Sequence, residues 1–274
     1  MLNLGLFSRA SRLALFCLLL PLGACTTMEG VHTLPLAGRD VEYVLAGSGA
    51  PAVVFENGLG GRLQWWAEVL PDVAKVTTAF AYNRAGTGNS VPAATPRDGD
   101  TIVEELRRNL LAAGLVPPYV LVGHSLGGLY MQLYGRRYPQ EVAGLVLVDS
   151  THPEQMKGTG AKENWPSWLK LMLDVSASAT AQKELDAVTT TGAAILALVP
   201  LTGKPVIVLS AKKPMSESSV LADDANAKRV DIARLHPGSK QVWVDSGHSI
   251  PLEDPQAVTA AILDVLASVR RSAN

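Results

Sequence analysis

Tyr119-Val-Leu-Val-Gly-His-Ser-Leu-Gly-Gly128 joins an apolar run directly to a helical pattern. Tyr119-Val-Leu-Val122 predicts a strand. Leu126-Gly-Gly-Leu-Tyr-Met-Gln-Leu-Tyr134 predicts a helix that starts at once. Between them Gly123-His124-Ser125-Leu126-Gly127 fits G-x-S-x-G, the spacing of a nucleophile elbow. A serine at such a corner is held in a strained backbone conformation that pushes its hydroxyl into the open. The residues two positions away must be small, because strand and helix nearly collide there. Gly123 and Gly127 meet that need, and Gly128 continues it. The five-residue pattern is short enough to arise by chance, so the flanking strand and helix carry the weight. The plainer alternative is an ordinary strand-to-helix turn that Ser125 merely caps.

Outward from the elbow, short apolar or β-branched runs alternate with longer helical patterns. Strands are expected at 40–45, 52–55, 77–82, 119–122, 143–148, 205–209 and 241–244, with the clearest helices at 101–113, 126–138 and 255–270. That alternation implies parallel strands joined by crossover helices, an α/β fold in one domain over residues 40–274. Asp40-Val-Glu-Tyr-Val-Leu45 alternates as a half-exposed edge strand does. One interval breaks the rhythm. Residues 150–203 are far longer than a crossover needs and hold Trp165, Trp168, Leu169, Leu171 and Met172. They are expected to form a small helical cap over one end of the sheet.

A serine hydroxyl is a poor nucleophile until a base takes its proton. Of the five histidines, His32 precedes the domain, His124 lies inside the elbow, His152 opens the insertion and His236 sits in a polar loop. His248, in Asp245-Ser-Gly-His-Ser-Ile-Pro251, follows the last expected strand and precedes the last helix. A loop at the carboxyl end of the strands is where a base can meet the elbow, so His248 is the expected base.

With these motifs in place the chain resembles the α/β-hydrolase family over nearly all of residues 40–270. Gly123–Gly128 matches the family's G-H-S-x-G-G, and Ser246-Gly247-His248 its terminal x-G-H. Asn57-Gly-Leu-Gly-Gly61 is similar to its oxyanion loop, with Asn where His is more frequent. Tyr82-Asn-Arg-Ala-Gly-Thr-Gly-Asn-Ser90 is similar to its Y-D-R-x-G-x-G-x-S turn, with Asn in place of Asp. The resemblance implies a mostly parallel eight-stranded sheet flanked by helices, with a small helical cap after strand 6. It also implies an oxyanion hole made by the backbone N–H groups of Leu126 and Leu59. Such a donor is typically worth about 3 kcal/mol.

The third member of the triad is the least marked. The family usually carries its acid after the seventh strand, where this chain has Lys213 and Pro214. Glu217, Asp223 and Asp224 come later. Some members carry the acid after the sixth strand, and here that strand ends in Val148-Asp149-Ser150. Asp149 keeps the order Ser, Asp, His and is the expected acid, with Asp224 as the alternative. Asp149 could also simply cap the following turn.

A serine at the elbow resembles the family's esterases, lipases and peptidases, and not the branches that use Asp there. The expected chemistry is hydrolysis of a small-molecule carboxylic ester with small or medium apolar groups. The same triad could serve an aminopeptidase or amidase, for which Glu154, Glu163 and Asp174 are available in the cap. An inactive lipid-anchored binding protein is the third reading. No cofactor is expected: no His/Cys or H-E-x-x-H cluster suggests a metal, and no G-x-G-x-x-G opens a helix after a strand. At 47% hydrophobic and 18% charged residues with a formal charge of −1, the chain lacks the basic surplus of a nucleic-acid binder. Its two cysteines, Cys17 and Cys25, cannot make a disulfide framework.

The N-terminus reads as an address. Arg9 and Arg12 precede the apolar run Leu13–Leu20, which is shorter than the about 20 residues a spanning helix needs. Leu22-Gly-Ala-Cys25 resembles a bacterial lipoprotein signal. Residues 1–24 are then a signal peptide, Cys25 the lipidation site and 25–39 a lipidated tether. Thr26 after the cysteine favours the outer membrane, facing the periplasm, by the same resemblance.

Overall fold

The computed structural model describes residues 28–212 and 219–273. Among them eight strands form one sheet: β1 (Val31–Leu36), β2 (Arg39–Ala46), β3 (Val53–Glu56), β4 (Ala79–Tyr82), β5 (Tyr119–His124), β6 (Val142–Val148), β7 (Val206–Ala211) and β8 (Lys240–Val244). Their order is β1-β2-β4-β3-β5-β6-β7-β8. β2 runs antiparallel to both neighbours, and every pair from β4 to β8 is parallel. The continuous apolar runs behave as two-sided burial demands: β3 to β7 are buried at every position.

Helices cover both faces. On one side α2 (Gly99–Ala112) and α3 (Leu126–Arg137) bury Ile102, Leu106, Leu110, Leu129 and Leu133 against the sheet. On the other, α1 (Leu70–Ala74) and the last helix, Pro255–Ala273, bury Leu70, Val73, Val258, Ile262, Val265 and Leu266. These last four recur at helical spacing and are at most 1% exposed. Each contributes about 1.5–3 kcal/mol of apolar burial. α2 starts two residues before its expected position because the Asp98 side chain accepts from the Thr101 N–H and caps it.

One expectation is corrected. The tether drawn over residues 25–39 is chain folded into the sheet from Val31 onward. Val31–Leu36 pairs antiparallel with β2, from Val31 opposite Val44 to Leu36 opposite Arg39. Ala37 (φ +48°) and Gly38 (φ +83°) make the two-residue turn, both in the left-handed region that such hairpins need. β2 is therefore an inner strand and not an edge. The outer strand is hard to read because four of its six side chains are exposed, so it shows no alternation. Cys25 and the signal lie outside the described residues.

Between β6 and β7 the chain forms α4 (Ser167–Ser176), α5 (Ala179–Asp186) and α6 (Val188–Leu196), the expected helical insertion. After β7 come α7 (Val220–Asp231), α8 (Ile250–Glu253) and α9, the Pro255–Ala273 helix. The insertion is bolted to the body by polar contacts. Gly99 N–H donates to Thr191 Oγ1 of α6 at 2.9 Å, and Arg136 of α3 donates to the Ile195 carbonyl at 3.0 Å.

Candidate active site

β5 delivers Ser125 at φ +52°, ψ −122°, a backbone region that costs a non-glycine residue about 1–3 kcal/mol. The end of β6 holds it there. Ser125 N–H donates to the Val148 carbonyl at 3.1 Å, and Thr151 N–H donates to the Ser125 carbonyl at 2.9 Å. The neighbouring glycines are required by space. A Cβ on Gly123 would lie 2.6 Å from the Gly127 carbonyl oxygen, and one on Gly127 would lie 2.4 Å from that of Glu56. The strained serine and the crowded glycines follow from one fact: strand and helix meet at a corner with no room for side chains.

His248, in the loop between β8 and α8, places Nε2 3.0 Å from Ser125 Oγ. Its Nδ1 lies 2.6 Å from Asp149 Oδ2. The three residues expected from the sequence are therefore brought together in one hydrogen-bonded line. Asp224, the alternative acid, lies on α7 and accepts from Lys228 Nζ at 2.7 Å. Lys213, Pro214 and Glu217 lie outside the described residues.

Asp149 sits one residue past β6 at φ +40°, a conformation Asp and Asn tolerate better than other side chains. Its carboxylate is buried and accepts four hydrogen bonds. Ala211 N–H and Arg229 Nε donate to Oδ1 at 3.1 and 2.5 Å; Arg229 Nη2 and His248 Nδ1 donate to Oδ2 at 2.7 and 2.6 Å. Burial alone would push its pKa up. The hydrogen bonds and charges of His248 and Arg229 outweigh that and hold the carboxyl well below the usual carboxylate range.

His124 has a part the sequence did not reveal. Its ring is buried, packs on Trp65 at 5.1 Å and places Nε2 2.9 Å from the His248 carbonyl. Burial, then repulsion from His248, pushes its pKa down to about 3. The ring is therefore neutral near pH 7, and its single N–H supports the His248 backbone from behind. This contact joins residues 124 positions apart, so no local signal could announce it.

Of the two expected oxyanion donors, Leu126 is next to the serine in the chain and Leu59 is one residue past Gly58, which packs against it. Leu126 is the first residue of α3, so its N–H has no acceptor within the helix. Leu59 follows Gly58, whose Cα runs against the nucleophile: a Cβ there would lie 3.1 Å from Ser125 Cβ. The Gly58 carbonyl is turned toward Arg84, accepting from Nη2 at 2.9 Å. In a planar trans peptide the Leu59 N–H must then point the opposite way.

Arg84 is the centre of a buried charge cluster. It donates to Glu56 Oε1 and to the Asn57 carbonyl at 2.6 Å each, and forks onto Glu184 of α5 at 2.9 and 2.8 Å. One guanidinium thus ties the insertion to the loop after β3. Removing one partner of such a pair strands a buried charge. The same region explains why Asn83 stands where the family turn has Asp. Its Oδ1 accepts from Leu63 N–H at 2.7 Å, while its Nδ2 donates to the buried Glu42 at 2.5 Å. A carboxylate could not do the second job. Asn83→Asp is expected to lower stability by about 2–4 kcal/mol, read as a lower urea midpoint at unchanged m-value. An unchanged midpoint contradicts this.

In the insertion, Leu169 is buried, and Trp165 Nε1 donates to the Gly160 carbonyl at 2.9 Å. Trp168 and Leu171 are 46% and 65% exposed. Among the acidic residues named for an amide reading, Glu154 pairs with Lys157, and Glu163 and Asp174 are exposed. Among the described residues no His/Cys/Asp/Glu group could hold a metal ion, and no helix is long and apolar enough to cross a membrane.

The comparisons with known proteins agree with this architecture. The alpha/beta hydrolase fold family model matches residues 51–246. YqjL of Bacillus subtilis (strain 168) is 27% identical over 242 residues, covering 87% of this chain and 92% of its own. The protein named "Putative carbamate hydrolase RutD" of Escherichia coli O127:H6 is 29% identical over 255 residues, covering 80% of this chain and 92% of its own. Among solved structures, a thermophilic esterase from Thermogutta terrifontis superposes with a TM-score of 0.60, covering 87% of this chain and 97% of its own. At 21% identity that likeness speaks for the fold alone.

Proposed function

The chain belongs to the alpha/beta hydrolase fold family, and we propose that it is a serine hydrolase that cleaves carboxylic esters of small or medium apolar groups. The observation that carries this reading is the unbroken line from Ser125 Oγ through His248 to Asp149, with steps of 3.0 and 2.6 Å. Ser125 Oγ attacks the ester carbonyl as its proton passes to His248 Nε2. Asp149 holds the Nδ1–H tautomer and stabilises the imidazolium that forms. The carbonyl oxygen becomes an oxyanion received by the N–H groups of Leu126 and Leu59. The C–O bond to the alcohol breaks as His248 returns the proton to the leaving oxygen. Water, deprotonated by the same imidazole, then releases the acid from Ser125.

The test is hydrolysis of p-nitrophenyl acetate, butyrate and octanoate beside the matching anilides. Turnover of the esters with little of the anilides supports the reading. A second reading, cleavage of a carbamate or amide by the same residues, is favoured by the likeness to RutD, and anilide turnover at ester-like rates would select it. An inactive binding protein is disfavoured by the carboxylate partner of His248, Asp149, 2.6 Å from Nδ1.

Export and lipid anchoring through Cys25 to the outer membrane, facing the periplasm, belong to the same proposal. It rests on the sequence of residues 9–26. Expressed with its full N-terminus in a bacterial host, the protein should fractionate with membranes, and Cys25→Ser should release it. A wild-type protein found free of membranes sinks this part of the proposal.

A further inference from the structure

The candidate acid has an unusual task. Asp149 follows β6, whereas His248 follows β8, and β7 lies between them. The carboxylate must therefore reach across the end of β7, where among the described residues the backbone donor it meets is Ala211 N–H, at 3.1 Å. A carboxylate with one backbone hydrogen bond can still rotate about its Cβ–Cγ bond. Arg229 removes that freedom. From α7 its guanidinium meets the carboxylate edge to edge, Nε to Oδ1 at 2.5 Å and Nη2 to Oδ2 at 2.7 Å. Two parallel bonds fix a plane as well as a distance. The lone pair left on Oδ2 is then aimed at His248 Nδ1, 2.6 Å away.

Arg229 is itself braced. Its Nη1 donates to Asn226 Oδ1 at 3.1 Å, and its carbonyl accepts from Gln241 Nε2 of β8 at 3.1 Å. Gln241 Nε2 also donates to Ser210 Oγ of β7 at 3.0 Å. The fork is thus anchored to β7, whose end the carboxylate crosses, and to β8, the strand that precedes His248.

We propose that Arg229 is a positioning residue for acyl transfer, setting the plane of the Asp149 carboxylate so that an acid borne by β6 can serve a histidine borne by β8. The proposal rests on the serine-hydrolase reading above. An ion pair that only stabilises the fold would be indifferent to the shape of the cation. A positioning fork is not: lysine offers a point charge where arginine offers a planar pair of donors.

The experiment compares wild type with Arg229→Gln, Arg229→Lys and Arg229→Ala. It reads kcat and KM on p-nitrophenyl butyrate, the rate of Ser125 labelling by a fluorophosphonate, and thermal melting. Outer-shell partners of an active group typically cost 10–100-fold when lost, and a loss in kcat of about that size is expected for Arg229→Gln, with KM nearly unchanged. Labelling should slow in parallel. Arg229→Lys should recover only part of the loss. Millimolar guanidinium should restore Arg229→Ala, and ammonium should not.

Wild-type kcat and labelling in Arg229→Gln overturn the proposal. So does a loss that follows a lowered melting temperature and that guanidinium leaves unchanged, which would make Arg229 structural only. If Arg229→Gln and Arg229→Ala fail to fold, Arg229→Lys decides: labelling at the wild-type rate counts against the fork, slowed labelling for it. A wild-type protein that a fluorophosphonate does not label brings down the underlying serine-hydrolase reading itself.

Discussion

Ser125→Ala is expected to abolish ester hydrolysis while leaving the fold intact. The size of the effect follows from what the hydroxyl does. Without it there is no acyl-enzyme, and only the oxyanion donors and substrate binding remain to assist attack by water. In serine hydrolases such a deletion costs on the order of 10⁶ in kcat. Little else should change. The Ser125 side chain makes no capping bond to α3, and among the described residues its hydroxyl is joined to His248. The strain at φ +52° is a property of the corner and is borne equally by alanine. Melting temperature should therefore stay close to wild type, and the variant should still bind an unreacted ester. Retained turnover in Ser125→Ala, after contaminating esterases are excluded, would mean another nucleophile.

The second large effect is at Asp149. Asp149→Asn is expected to lower kcat by about 10⁴, the cost of holding a catalytic histidine in the wrong tautomer. The surroundings dictate how the amide must sit. Ala211 N–H and Arg229 Nε both donate at the Oδ1 position, so the amide oxygen belongs there. Its NH₂ then occupies the Oδ2 position, loses the bond from Arg229 Nη2 and faces His248 Nδ1 as a donor. The imidazole answers by moving its own proton to Nε2, the atom that has to accept from Ser125. Asparagine also tolerates φ +40°, so the backbone has no reason to move. Asp224→Asn is the control. It breaks only a partly exposed pair with Lys228 four residues on, worth about 0.3–0.5 kcal/mol, and activity should be unchanged. Collapse of Asp224→Asn with an active Asp149→Asn would exchange the two assignments.

These effects show what could be read from the sequence and what could not. The strands that are buried on both faces, the elbow and the position of His248 announce themselves through local pattern. Apolar runs, forced glycines and a histidine after the last strand are each set by constraints within a few residues. Asp149 was legible only as the carboxylate at the end of the right strand. The residues that hold the site in shape were not legible, because their partners are distant in the chain. Arg229 meets Asp149 across 80 positions, and Arg84 meets Glu184 across 100. Asn83 departs from the family turn where Glu42, far away in the chain, requires a donor opposite it. The first strand is illegible for a different reason. It pairs through its backbone and exposes most of its side chains, so almost none of its sequence is committed to a core.

The central claim is that Ser125 is a nucleophile activated by His248. The most direct measurement is to treat the folded protein with a fluorophosphonate and locate the adduct by mass spectrometry of its peptides. A single phosphonyl group on Ser125 is expected, lost in Ser125→Ala and strongly slowed in His248→Ala. A protein that takes no label, or takes it elsewhere at the same rate with and without Ser125, would contradict it.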